Sequence, residues 1–184
     1  MKNWKTVDES IVFDAPPYLK VLKQTVEIPD GSHIDDFYQV HLRNFVVVVP
    51  LLQNGKILTI RQYKHGPGRV SLTFPAGFID DGENPAEACV RELVEETGYE
   101  ASSLVQLGEF VDNGNQRGCI GHYFFAADCV KVKEPNSGDL EEMSIEERSV
   151  CEVDQALKSG DISIIHHASV WSMARLQGLI SQQK

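Results

Sequence analysis

Hydrophobic and polar positions change period several times along the chain. Residues 7–13, 20–28 and 36–42 alternate imperfectly, as strands with one solvated face do. Asp14-Ala15-Pro16-Pro17 breaks the first and Pro29-Asp30-Gly31 turns the second. Phe45–Leu52 is a continuous apolar run, which predicts a strand buried on both faces. Asn54-Gly55 is a hairpin signal, residues 56–63 return as a strand, and residues 71–76 form another short one. From Asn84 the period lengthens to that of a helix. Asn84 is a suitable N-cap, Pro85 suits the first helical position, and Gly98 suits the residue past the end. Ala86, Val90, Leu93 and Thr97, flanked by Cys89 and Val94, form the predicted buried stripe. Residues 103–108 and 118–130 read as strands around a loop, 112–117. A polar loop, 134–144, precedes a short strand at 144–151, a short helix at 153–158 ended by Gly160, and a last helix at 167–180. Strands alternating with two or three helices fit an α/β fold with a mixed sheet between helices.

Composition narrows the picture little. The chain has 184 residues, of which 42% are hydrophobic and 24% charged, ordinary values for a soluble domain with a sizeable core. The net charge of −10 argues against nucleic acid and against an anionic membrane surface as partners. The longest apolar run is too short to span a bilayer, and the first ten residues hold no apolar signal region. The four cysteines show no C-x-x-C spacing, so zinc knuckles and a redox motif are not expected. A reducing cytoplasm is the expected location. Residues 1–42 are too few to bury their own apolar faces and need a partner surface, such as a second subunit.

Candidate chemistry concentrates in residues 77–99. At about 100° per residue, Glu92, Glu95 and Glu96 share one side of the helix, beside the apolar stripe. Arg91 lies one turn from both Glu87 and Glu95 and can pair with either. An ordinary acidic helix face accounts for such a cluster taken alone. A hard divalent cation, which takes oxygen ligands, accounts for its crowding. The main basic cluster, Arg61 to His65 followed by Arg69, sits just before the acidic helix. It reads either as a solvated strand end or as a cradle for substrate phosphate or ribose.

The spacing Gly77, five residues, Glu83, seven residues, Arg91-Glu92-Leu93, one residue, Glu95-Glu96, one residue, Gly98-Tyr99 resembles the Nudix box at every defined position. The resemblance implies a Nudix-type α/β/α sandwich over residues 43–184; residues 1–42, too few to bury their own apolar faces, are expected to form a small amino-terminal antiparallel β extension that packs across a homodimer interface. It implies Mg²⁺, with Mn²⁺ able to substitute, held by Glu92, Glu96 and the backbone carbonyl of Ala76. Glu95 stands close behind, and Gly77, Glu83 and Arg91 support the ligands. Outside the box, Trp4-Lys5, Arg61-Gln62-Tyr63, Phe74-Pro75-Ala76-Gly77 and the late acidic loop resemble the ADP-ribose pyrophosphatase branch. That branch implies cleavage of ADP-ribose or a related nucleoside diphosphate sugar to a nucleoside monophosphate and a sugar phosphate. It commonly has a proline in the loop following the box; residues 112–121 have none, which leaves GDP-mannose, UDP-glucose and dinucleotides open. Arg61, Arg69, Arg117 and Trp4 are the substrate-binding candidates, Trp4 reading equally as a core or interface aromatic. Among Asp139, Leu140, Glu141 and Glu142, the branch places the water-activating base on Glu142, with Glu141 second and Glu95 next. A nucleotide-sensing domain without catalysis is disfavoured by the intact box, and an RNA-cap enzyme by the negative charge.

Overall fold

The computed structural model describes residues 1–138 and 142–181. The chain divides into two compact units, one of Met1–Asn44 with Phe110–Gly121 and one of Phe45–Glu109 with His122–Lys184.

The first unit is built on β1 (Lys5–Ala15), β2 (Leu19–Glu27) and β3 (His33–Leu42), an antiparallel meander. Leu22, Gln24 and Val26 alternate on its buried face. The buried Gln24 donates to Glu9 at 2.6 Å, so its amide is not left without a partner there. β1 is exposed almost throughout, with Ile11, Val12 and Phe13 each about half exposed. The expected loop at 112–117 shrinks to a turn, because the flanking strands run further than their apolar patterns. Asn113 Oδ1 accepts from the Asn115 and Gln116 N–H groups, and this side-chain turn tightens the hairpin.

The second unit carries β4 (Phe45–Leu52), β5 (Ile57–Lys64), β6 (Arg69–Thr73), β7 (Ala76–Phe78), α1 (Pro85–Thr97) and β8 (Tyr99–Glu100). It also holds the start of β9 (Ser103–Asn113), most of β10 (Arg117–Lys131), β11 (Met143–Arg148), α2 (Val150–Ser159) and α3 (Ile165–Leu176). β4 is buried on both sides. Val47 and Val49 pack with Phe74, Tyr123, Phe125, Val153, Val170 and Trp171, the α2/α3 side. Val46 and Val48 pack with Cys89, Leu93, Phe124 and Ala126, the α1 side. Successive residues of one strand thus feed two cores, which makes an α/β/α sandwich with a mixed sheet.

The expected strand at 71–76 is two strands. β6 pairs with β5 and β7 pairs with β4, and Pro75 falls between them. Proline has no N–H to continue a ladder, and its carbonyl instead accepts from Val48 at 3.0 Å. The short strand at 144–151 ends at Arg148, because Ser149 and Glu152 form a reciprocal capping box that starts α2 early. α3 runs from 165 to 176 rather than 167 to 180, and Gly178 follows it at φ +73°. No helix among the described residues is long and apolar enough to cross a membrane.

Candidate active site

α1 starts as its caps dictate. Asn84 accepts from the Ala86 N–H at 2.8 Å, and Gly98 ends the helix at φ +77°. Its buried face differs from the predicted stripe. Ala88, Cys89, Leu93, Glu96 and Thr97 are buried, whereas Ala86 and Val90 are exposed. The helix is rotated so that Glu96 lies inside the packed face rather than beside it. A buried carboxylate needs compensation. Part of it comes from β7, where the Ala76 N–H donates to Glu96 Oε2 at 2.9 Å.

β7 also explains Gly77. A Cβ built there would lie 2.0 Å from the Glu92 carboxyl carbon and 2.1 and 2.2 Å from its oxygens. The residue is glycine because the Glu92 carboxylate occupies that space. No tight turn demands the glycine: Gly77 lies inside a strand with no positive φ. Residues 76 and 77 therefore receive two carboxylates from one helix face.

Arg91 organises the remainder. Its Nε and Nη2 donate to the two Glu83 oxygens at 2.8 and 2.9 Å, a bidentate pair. Nη2 also donates to the Phe78 carbonyl at 3.0 Å, and Nη1 to Glu92 at 2.7 Å and Glu95 at 3.3 Å. The Glu83 carboxyl is held down at about 2, first by the Arg91 bond and then by the Asp80 N–H. The Arg91 guanidinium is held protonated by Glu83 and Glu92. One cation thus tethers the loop after β7 to α1 and fixes Glu92. The Glu95 backbone carbonyl accepts from the Asn136 N–H at 2.8 Å, which ties the segment leading to the late loop onto the same helix.

The donor set is oxygen only: Glu92, Glu96 and the neighbouring Glu95, with the backbone of Ala76 against them. Such a set fits a hard divalent cation. Arg91 supplies counter-charge to Glu92 and Glu95 from one side.

The NUDIX domain family matches residues 41–168 of this sequence. The chain belongs to the NUDIX hydrolase family. Nudix hydrolases generally use divalent metal ions and act on small nucleotide substrates. This Nudix hydrolase is similar to the ADP-ribose pyrophosphatase of Bacillus subtilis (strain 168), at 28% identity over 75% of this chain and 74% of that one. It is similar to the methanol dehydrogenase activator of Bacillus methanolicus, at 27% identity over 84% of this chain and 81% of that one. Its fold matches the crystal structure of an ADP compounds hydrolase with a TM-score of 0.80, 21% identity and 97% coverage of both chains.

The remaining candidates of this Nudix chain fall in other places. Arg61 is committed: its guanidinium makes a bidentate pair with Asp161 at 3.0 and 2.8 Å, and its Nε reaches Glu146 at 3.3 Å. That pair holds the Asp161 carboxyl below its ordinary range. Arg69 donates to the Gly160 carbonyl at 2.7 Å. Trp4 and Arg117 belong to the first unit. There Trp4 is half exposed with its ring edge-on to Phe37, and Arg117 sits at φ +69° opposite Val40. Glu142 is exposed just before β11 and lines a cavity of about 460 Å³ together with Arg61. Glu141 lies outside the described residues. Sequence reading missed the Phe78 carbonyl, Asn136, Glu146 and Asp161. The last sits 100 residues from its arginine, and no local pattern signals such a pair.

Proposed function

We propose that this Nudix hydrolase cleaves the diphosphate of ADP-ribose or a related nucleoside diphosphate sugar, giving a nucleoside monophosphate and a sugar phosphate. The observation that carries the hydrolytic reading is the convergence of Glu92 and Glu96 on the Ala76–Gly77 backbone. The similarity to the Bacillus subtilis ADP-ribose pyrophosphatase supports the substrate class.

In this reading Glu92, Glu96 and the Ala76 carbonyl hold Mg²⁺, and Mn²⁺ can replace it. When bound, the ion neutralises diphosphate charge and lowers the pKa of a coordinated water. Arg91 keeps Glu92 in place, and Glu83 keeps Arg91 in place. Water attacks one phosphorus, the bridging P–O bond breaks, and Glu142 takes the proton of the attacking water at its carboxylate. Glu95 is the second candidate in the described part of the chain. Phosphate oxygens meet the basic residues at the end of β5 and on β6, Arg69 among them. Trp4 and Arg117 are further candidates for substrate binding in this reading.

Residues 1–42 form a dimerisation extension to a Nudix domain at 43–184, and the enzyme works as a homodimer in the cytoplasm. Apolar residues exposed on the first unit, including Ile11, Val12, Phe13, Phe110 and Val111, support the dimer.

The test is a substrate panel with and without chelator, read by phosphate release after phosphatase treatment. It includes ADP-ribose, GDP-mannose, UDP-glucose, dinucleotides and nucleoside triphosphates. Chelator should abolish turnover, and a nucleotide sugar should lead. Faster turnover of triphosphates or dinucleoside polyphosphates than of any nucleotide sugar would reject the substrate class.

A further inference from the structure

One end of the β1–β2–β3 meander gathers cations on the face that carries Leu22, Gln24 and Val26. Lys20 shares that face with the three buried residues by strand alternation. In the ladders Asp14 stands opposite Lys20, and Lys20 stands opposite His41. Directly opposed residues lie on one face, so the three form a row across the sheet. All three line a cavity of about 280 Å³, together with Arg43 and the turn at Pro16 and Pro17. That volume suits a small anion rather than a whole nucleotide.

The charges around this cavity are not matched. Like charges set directly opposite one another destabilise a sheet, and Lys20 with a protonated His41 is such a pair. Burial first, then the charge of Arg117 and, more weakly, that of Lys20 push the His41 ring below its ordinary 6.5, with Glu9 opposing them. The ring keeps a long contact, Nε2 to Gln39 Oε1 at 3.5 Å. Asp14 is the acid of the row, yet among the described residues no ion pair joins it to Lys20. Lys20, His41 and Arg43 are all half-buried, in a chain whose net charge is −10. A cation-framed cavity therefore runs against the composition around it. An anion seated there would pair Lys20, cancel the repulsion along the row and favour the charged form of His41. A phosphate group suits the set better than a carboxylate. It carries up to two charges, and its three terminal oxygens can accept from donors that arrive from different strands.

We propose that this cavity binds a phosphate group, free or at the end of a monoester, with Lys20 Nζ and the charged His41 ring as donors and Arg43 adding positive charge in the wall. Lys20, His41 and Arg43 have no part in the hydrolytic reading, so either inference can fail without the other.

The experiment uses the full chain in chelator at constant ionic strength. Inorganic phosphate and ribose 5-phosphate are titrated separately, with chloride as the control anion, into the parent, Lys20→Met and Lys23→Met. Lys23 lies on the opposite face of β2, so its replacement removes the same charge away from the cavity. In the parent, phosphate should raise the midpoint of the His41 ring titration, followed by its ¹H–¹³C signals, because a bound anion favours the charged ring. Lys20→Met should weaken phosphate binding about 10-fold, the loss of one charge-assisted hydrogen bond, and Lys23→Met should leave it unchanged. The tighter probe tells free phosphate from a monoester. A His41 midpoint that moves no further with phosphate or ribose 5-phosphate than with chloride overturns the inference. So does Lys20→Met binding like the parent, or equal weakening by both lysine variants. The His41 reading is made on the parent and does not depend on any variant folding.

Discussion

Replacing Gly77 by alanine tests the metal-site geometry more sharply than removing a ligand, because every ligand stays in the sequence. The added Cβ would meet the Glu92 carboxyl carbon at 2.0 Å, against 3.4 Å for ordinary contact. The carboxylate must therefore retreat by about 3.4 − 2.0 = 1.4 Å. Metal–ligand distances tolerate only about 0.2 Å. Glu92 would then no longer reach an ion shared with Glu96 and Ala76. Retreat also loosens the Glu92 bond to Arg91, a charge-assisted bond worth about 1.5–3 kcal/mol. The alanine returns about 0.4–1 kcal/mol by restricting the unfolded chain. The net loss of about 0.5–2.6 kcal/mol lowers Tm by about 1–10 °C in a chain of this size. The fold survives and the site does not. In the parent, Mg²⁺ at 100 times its Kd should add about 2.7 kcal/mol, or about 5–11 °C in Tm. Gly77→Ala should lose most of that increment and at least about 10²-fold in kcat/KM. The assay is thermal unfolding with Mg²⁺ and with chelator, followed by rates on the best substrate. A Gly77→Ala protein with the parent's metal-dependent shift and the parent's rate would refute the reasoning.

Glu96→Gln should fold and lose most of the rate together with the Mg²⁺-dependent rise in Tm; retention of either sinks its assignment as a ligand. Glu142→Gln should cut kcat about 10²–10⁴-fold at saturating Mg²⁺ with Tm unchanged, and near-parental turnover would pass the base role to Glu95 or Glu141. His167 is fully buried and accepts from the Phe74 N–H at 3.0 Å, and burial pushes its pKa from 6.5 down to about 3. The unfolded chain then binds a proton that the folded chain refuses, so stability is complete above pH 6.5 and falls between 6.5 and about 3, by about 1.4 kcal/mol per unit from this group. His167→Asn, which keeps an acceptor near Nδ1, should flatten that part of the pH–Tm profile, and an unchanged slope counts against the assignment. Sedimentation at micromolar concentration should give a dimer, and a monomer removes the proposed role of residues 1–42.

What could be read from the sequence was what is local. The caps of α1, the box spacing and the double-sided apolar run of β4 each depend on residues within a few positions of one another, and each stands in the fold as expected. Glu96 was misplaced because the hydrophobic pattern assigns buried positions to apolar residues, and a carboxylate that needs a dry site breaks that rule. The space that Gly77 leaves open was not legible from its neighbours, because the crowding atom belongs to a side chain fifteen positions later. Pro75 carried a signal that 71–76 could not be one strand, since a ladder cannot pass through it. The ion pairs of Arg61 were not legible, because its carboxylate partners come from β11 and from the α2–α3 connection, far along the chain.

The α2–α3 connection does more than hold Arg61. The Asp161 carbonyl accepts from the Leu72 N–H at 3.1 Å and from Ser71 Oγ at 2.8 Å, so β6 has a backbone group occupied on the side away from β5. That margin is shut to strand addition. β1 is the opposite case: eleven residues long, paired on one side by β2, and, among the described residues, paired on the other by no strand. Its unclaimed N–H and C=O groups, set among exposed Val7, Ile11 and Phe13, make it a template for another extended chain. Where nothing covers β1, loss of solubility should begin there, and a lysine or proline placed in its outer row should suppress aggregation without touching the second unit.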